Sequence, residues 1–198
     1  YVRQFALGRI LDMGTGSGIQ ALTAITNPNA QHVLAVDLDE EAVKALQEKV
    51  KKEKIRKLYV LQSDLFSNVK GQFNLIIFNP PYLPQDKGIQ DDTLYGGKKG
   101  WELSAKFFHD ASKHLYPDGK ILFLFSSLTN KAKIQEIIAH NLFEFEELET
   151  HKLSFEELYI YCISKTSLLR ELEKKGVYDI HYFARGKRGT IFTGCIDR

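Results

Sequence analysis

Asn79-Pro80-Pro81-Tyr82 stands where an apolar run, Phe73-Asn74-Leu75-Ile76-Ile77-Phe78, stops. The run has the composition of a buried parallel strand. Two prolines cannot continue a ladder, and neither brings a donor N–H, so the chain must leave the sheet on a stiff path. What gathers at the strand end is a carboxamide, a proline carbonyl with no partner of its own, and an aromatic ring. That set suits a flat –NH2 group, offering two acceptors for its hydrogens and a π face for its plane. Asn79, Pro80, Pro81 and Tyr82 are therefore the candidate catalytic residues.

A second constellation lies upstream, in Asp12-x-Gly14-x-Gly16-x-Gly18. Glycines at a strand-to-helix turn permit positive φ and let the backbone approach a ligand closely. The spacing differs from the G-x-G-x-x-G that cradles a pyrophosphate on a helix N-terminus. Asp12 just ahead would repel a phosphate but suit a cationic or ammonium-bearing ligand. Asp37 closes the next strand, where a carboxylate can accept both hydroxyls of a ribose. Ser63-Asp64 closes a third, in place to meet an adenine amino group. An adenosine that carries an amino acid instead of phosphates fits all three: S-adenosylmethionine. The expected cofactor set is Asp12, Gly14, Thr15, Gly16, Gly18, Asp37, Leu38, Ser63, Asp64, Leu65 and Asn79.

These residues need a sheet to bring them to one edge, and the pattern supplies it. Strands are expected at 9–13, 32–36, 58–61, 73–78 and 120–125, alternating with helices at 19–26, 40–52, 101–115 and 131–141. Asp39 is the expected N-cap of the second helix, with Glu40 and Glu41 in its first turn. Pro117-Asp118-Gly119 is the stop of the third. Residues 143–150 and 155–163 alternate and are joined by a short connection, which predicts an antiparallel pair. The expected fold is α/β: a doubly wound, mostly parallel seven-stranded sheet closed by an antiparallel hairpin.

A chain of 198 residues is long enough for one domain with a real core. Its 43% hydrophobic and 26% charged residues are ordinary for a globular protein, and no apolar run approaches a membrane span. The net charge of +2 is uneven: residues 166–198 carry three surplus positive charges, and the rest is one negative. Nucleic acid is thus not a required partner of the body. Two cysteines, Cys162 and Cys195, indicate a reducing, cytoplasmic setting without a disulfide framework. His109 and His114 lack the spacing of a ligand pair, and no metal site is expected.

Asp12 to Gly18, Asp37, Asp64 and Asn79-Pro80-Pro81-Tyr82 together resemble the class I S-adenosylmethionine-dependent methyltransferases of the amino-group branch. Tyr95-Gly96-Gly97-Lys98-Lys99-Gly100-Trp101-Glu102 resembles the Gly-Gly-x-x-Gly segment of the release-factor glutamine methyltransferases, in particular their short archaeal and eukaryotic form. The resemblance covers residues 9–165 in one colinear order. It implies N5-methylation of the glutamine in the Gly-Gly-Gln loop of a class I peptide chain release factor. It implies further that Gly14, Gly16 and Gly18 line the methionine and ribose with Asp12 beneath them, that Asp37 takes the ribose hydroxyls and that Asp64 takes the adenine edge. Asn79 and the Pro80 carbonyl would accept from the target amide while Tyr82 packs on its plane. The family's small zinc-binding activator subunit would pair with the apolar edge strand Leu58–Leu61.

Two departures from that family stand out. Residues 1–8 are too short for its N-terminal helical segment, so domain 1–165 is expected to be truncated there. Residues 166–198 form a basic extension whose Phe183–Gly194 stretch, with Gly186-x-x-Gly189, is similar to the opening of small atypical archaeal-type kinases; a mobile basic arm is the alternative. Two other functions compete with the leading one: methylation of an exocyclic amino group on a nucleic-acid base, and a non-catalytic cofactor-binding subunit.

Overall fold

The computed structural model describes residues 1–84 and 95–176. The kinase-like stretch 183–194 and Cys195 lie outside them. A single seven-stranded sheet has the order β3-β2-β1-β4-β5-β7-β6. The strands are β1 Gly8–Met13, β2 Ala30–Asp37, β3 Leu58–Gln62, β4 Phe73–Phe78, β5 Leu115–Ser126, β6 Phe143–Lys152 and β7 Glu157–Lys165. The first five run parallel, and β7 is antiparallel to both β5 and β6. The expected mostly parallel sheet with its closing hairpin is therefore present.

Side chains two apart on a strand share a face, and the two faces make two cores. Leu11, Met13, Ile76, Phe78, Ile121, Phe123 and Phe125 point into one, under helices α4 Glu102–His114 and α5 Lys131–His140. Ile10, Leu75, Ile77 and Leu122 point into the other, with α2 Ile19–Ala24 and α3 Glu40–Lys52 over them. Helix α1 Val2–Phe5 packs beside α2 on this second face. Asp39 caps α3 as the sequence implies, its side chain accepting from Glu41 N at 2.8 Å. Each expected helix ends within two residues of the observed one, with the frayed last turns that helix ends show.

Strand β5 differs from expectation. It begins at Leu115, which pairs with Phe73, and the register then shifts so that Leu75 faces Lys120. The Pro117-Asp118-Gly119 segment is thus a bulge inside the strand, in place of a turn before it.

Helix α6 Ser167–Lys174 docks on the body. Lys165, with no exposed surface, donates from Nζ to the Ser112 and Leu115 carbonyls and to both oxygens of Glu173, all between 2.7 and 2.8 Å. A buried ammonium is tolerable only when fully paired in this way. Among the described residues, no helix is long and apolar enough to cross a membrane.

Candidate active site

Parallel strands deliver their C-terminal ends to one edge, and the expected residues collect along it at the ends of β1, β2, β3 and β4. The turn after β1 is held from below. Asp12, 2% exposed, accepts at Oδ2 from Thr15 Oγ1 (2.6 Å) and from Ala21 N (2.9 Å) in α2. Burial pushes its carboxyl up from 3.8 to about 7, against the pull of those two donors and helped by the nearby Asp37 charge. Asp12 is a shaping residue of the turn, with Thr15 as its partner. Above it, Gly14 (φ +65) and Gly16 (φ +51) adopt a conformation that favours glycine, and a Cβ on either would meet open space. A ligand can lie there. At Gly18 (φ +81) a Cβ would fall 2.5 Å from a Leu46 methyl, so packing of α3 also demands glycine.

Asp37 closes over the turn from β2. One oxygen accepts from Gly16 N at 2.7 Å and the other from Asp39 N at 3.0 Å. Each oxygen retains a lone pair, enough for two hydroxyls of a ligand. Leu38 beside it is 65% exposed and presents apolar surface to the same space. At the end of β3, Ser63 is buried and fully engaged: its hydroxyl donates to the Leu65 carbonyl at 2.7 Å and accepts from Asn68 N at 3.0 Å. Those bonds hold Leu65 at φ 46. Asp64 is different; its carboxylate is exposed and, among the described residues, has no hydrogen-bond partner.

The end of β4 is stiff for reasons beyond its prolines. Phe78 is sunk in the first core, its ring stacked 4.1 Å from Phe107, so the strand cannot twist at the residue before Asn79. Pro80 is buried, whereas the Asn79 carboxamide is exposed and unpaired among the described residues. The glycine segment lies directly on this loop. Gly96 N donates to the Leu83 carbonyl at 3.0 Å, and a Cβ on Gly96 would come within 2.6 Å of the Pro81 carbonyl oxygen. A Cβ on Gly100 (φ +84) would come within 2.6 Å of the Tyr82 carbonyl oxygen. Close backbone approach, more than turn geometry, explains why these positions carry no side chain.

Two residues that sequence reasoning missed stand next to the loop. Thr129, fully buried, donates to the Tyr82 carbonyl at 2.9 Å. Glu156, from the β6–β7 hairpin, accepts a short hydrogen bond from buried Ser126. Burial holds the half-buried Tyr82 phenol above its ordinary range, and the Glu156 charge adds to that. A cavity of about 420 Å³ opens beside Asn79, between α1, α2 and the ends of β4 and β5, with Gln20, Thr23, Phe78 and Leu124 in its wall. The glycine turn, Asp37 and Asp64 are not part of that wall.

Residues 2–154 match the family model described as a methyltransferase small domain. The chain belongs to that methyltransferase family. It is 32% identical over 156 residues to a Methanocaldococcus jannaschii protein provisionally named a protein N5-glutamine methyltransferase, covering 76% of this chain and 78% of that one. It is 32% identical over 130 residues to the release factor glutamine methyltransferase of Deinococcus radiodurans, covering 61% of this methyltransferase but only 46% of that protein. The chain thus spans less than half the length of that bacterial relative. Among solved structures, the Mtq2–Trm112 complex of E. cuniculi, responsible for methylation of the eRF1 translation termination factor, superposes with a TM-score of 0.63. At 21% identity over 81% of this methyltransferase and 86% of that chain, the likeness is one of fold.

Proposed function

We propose that this methyltransferase moves a methyl group from S-adenosylmethionine to the side-chain amide nitrogen of a protein glutamine, that of the Gly-Gly-Gln loop of a class I peptide chain release factor. The observation that carries the reading is the exposed Asn79 carboxamide, without a partner among the described residues, at the β4 end on a loop fixed by Phe78, Thr129 and two close-packed glycines, with the Pro80 carbonyl beside it as the expected second acceptor. The names of the relatives support a glutamine as the amide in question. The open space over Gly14 and Gly16 and the spare lone pairs of Asp37 fit an adenosine with an amino-acid tail. Bound there, the cofactor supplies a methyl group already activated by a sulfonium.

The protein's own task is alignment. An amide nitrogen is a weak nucleophile because its lone pair is delocalised into the carbonyl. Asn79 Oδ1 and the Pro80 carbonyl accept its two N–H groups, polarise them and orient the lone pair toward the methyl, while the Tyr82 ring packs on the plane; the N–H proton displaced on methylation leaves to solvent. Holding the nitrogen at a fixed attack geometry contributes on the order of several kcal/mol. The partner subunit of this reading adds a strand to β3, the outer edge, where Tyr59 and Leu61 are 52% and 37% exposed. The reducing, cytoplasmic setting read from the cysteines belongs to the same proposal.

The test is transfer of labelled methyl to purified release factor, to its Gly-Gly-Ala variant and to total RNA, with and without a small zinc-binding activator subunit. Label in the Gly-Gly-Gln protein alone supports the proposal. Label in RNA overturns it in favour of a nucleobase target, and no label under any condition leaves a cofactor-binding subunit.

A further inference from the structure

The hairpin tip between β6 and β7 has surface that the body does not use. Phe155 is 94% exposed and Leu153 46% exposed, and Leu128, in the neighbouring turn after β5, is 46% exposed. Single exposed apolar residues are ordinary on a protein surface. Here they rise from two turns that are bonded to one another and to the catalytic loop. Ser126 Oγ donates to Glu156 and accepts from Leu128 N; Ser127 Oγ accepts from Glu157 N at 3.0 Å; Thr129 Oγ1 donates to the Tyr82 carbonyl. Leu153 N donates to the Glu156 carbonyl at 2.8 Å, which closes the tip as a tight turn. The tip is therefore a fixed extension of the Asn79–Tyr82 loop, not a dangling connection.

We propose that this tip, residues Leu153–Glu156, is the arm that seats the methyl-accepting protein beside the catalytic loop. Phe155 and Leu153 give that protein an apolar contact, and the Glu156 carboxylate accepts an N–H from the stretch that carries the target amide. The proposal rests on the reading of the chain as a protein glutamine methyltransferase and adds the surface that selects its substrate. Ser126 occupies one Glu156 oxygen, and the other keeps lone pairs for a donor. Lys152 pairs with Glu157 at 3.6 Å, while among the described residues Glu156 has no ion-pair partner. An uncompensated carboxylate next to apolar side chains repels a phosphate backbone and suits a polypeptide. An exposed aromatic flanked by aliphatic side chains is the composition of a protein-binding anchor.

The experiment is steady-state kinetics of methyl transfer to a full-length class I release factor and to a short peptide spanning its Gly-Gly-Gln loop. Phe155→Ser and Leu153→Ser replace exposed side chains and should leave the fold intact, as thermal melts will verify. Phe155→Ser should raise KM for the full-length acceptor about tenfold, with kcat and the KM for the cofactor changed by less than about twofold. Glu156→Gln should raise the same KM about threefold, since a lost charged contact is replaced by a neutral one. The double variant Phe155→Ser, Leu153→Ser with an unchanged KM for the full-length acceptor overturns the arm. A wild-type protein that labels no polypeptide overturns the parent reading instead, and the arm with it.

Discussion

The cofactor half of the edge, at β1 to β3, and the acceptor half, at β4 and beyond, are built on opposite plans. In the first, most polar side chains already have partners: Asp12 with Thr15 and Ala21, Asp37 with Gly16 and Asp39, Ser63 with Leu65 and Asn68. In the second, the backbone is clamped while the proposed acceptor side chain, Asn79, has no bond among the described residues. A ligand that is soft and many-jointed is met by a preformed shape. On the proposed reading, a small flat amide is met by the Asn79 carboxamide on a rigid frame. If the proposed function holds, cofactor specificity resides in the turn geometry on one side and amide specificity in the β4-end loop on the other.

Changes on the acceptor side should therefore damage transfer without touching cofactor binding. The largest effect is expected for Asn79→Ala, which should lower kcat by about a hundredfold or more while cofactor affinity, measured by calorimetry, stays within about threefold. Equal losses in both would break the division between the halves. Gly100→Ala comes next. Its Cβ displaces the Tyr82 carbonyl, and about a tenfold loss of kcat is expected from misplacement alone, again with cofactor affinity preserved. Thr129→Val removes one hydrogen bond worth about 1 kcal/mol, so transfer should fall about fivefold; an unchanged rate would show that the prolines hold the loop unaided.

The smallest effect concerns stability on the cofactor side. The Asp12 carboxyl keeps its proton up to about pH 7 in the folded protein but loses it near its ordinary 3.8 when unfolded. Between those values the unfolded state binds fewer protons, so stability falls as pH rises and levels off above 7. Asp12→Asn does not titrate and its side-chain oxygen can still accept from Thr15 and Ala21. The melting temperature of the variant relative to wild type should climb between pH 4 and pH 7 by a few degrees. A difference that stays flat across that range would mean that Asp12 is charged in both states.

How much of this was legible in the sequence depends on the range of the interaction. Phe73–Phe78 announced itself through composition and the prolines after it, and the α3 cap through Asp39. The likeness of the Gly96–Gly100 segment to its family was visible, but not that it covers Pro81 and Tyr82. That contact spans a loop and leaves only an absence of side chains behind. Thr129 and Glu156 gave no local signal at all, because their partners lie 47 and 30 residues away. Pro117-Asp118-Gly119 misled for a related reason. Turn residues mark a kink, and whether the kink ends a strand or bulges within it is decided by the partner strand. Ser63 looked like a ligand residue because of where it stands, although its hydroxyl is occupied in shaping the turn that lifts Leu65.

The reversed direction of β7 decides where α6 is held. Because it runs against β5, it starts beside Ser126 near the catalytic loop and reaches Lys165 at the far end of the sheet, where the buried ammonium rivets α6 in place. Helix α6 is thereby anchored at the end of the sheet opposite the β1–β4 strand ends, so its docking can be disturbed without moving the candidate site.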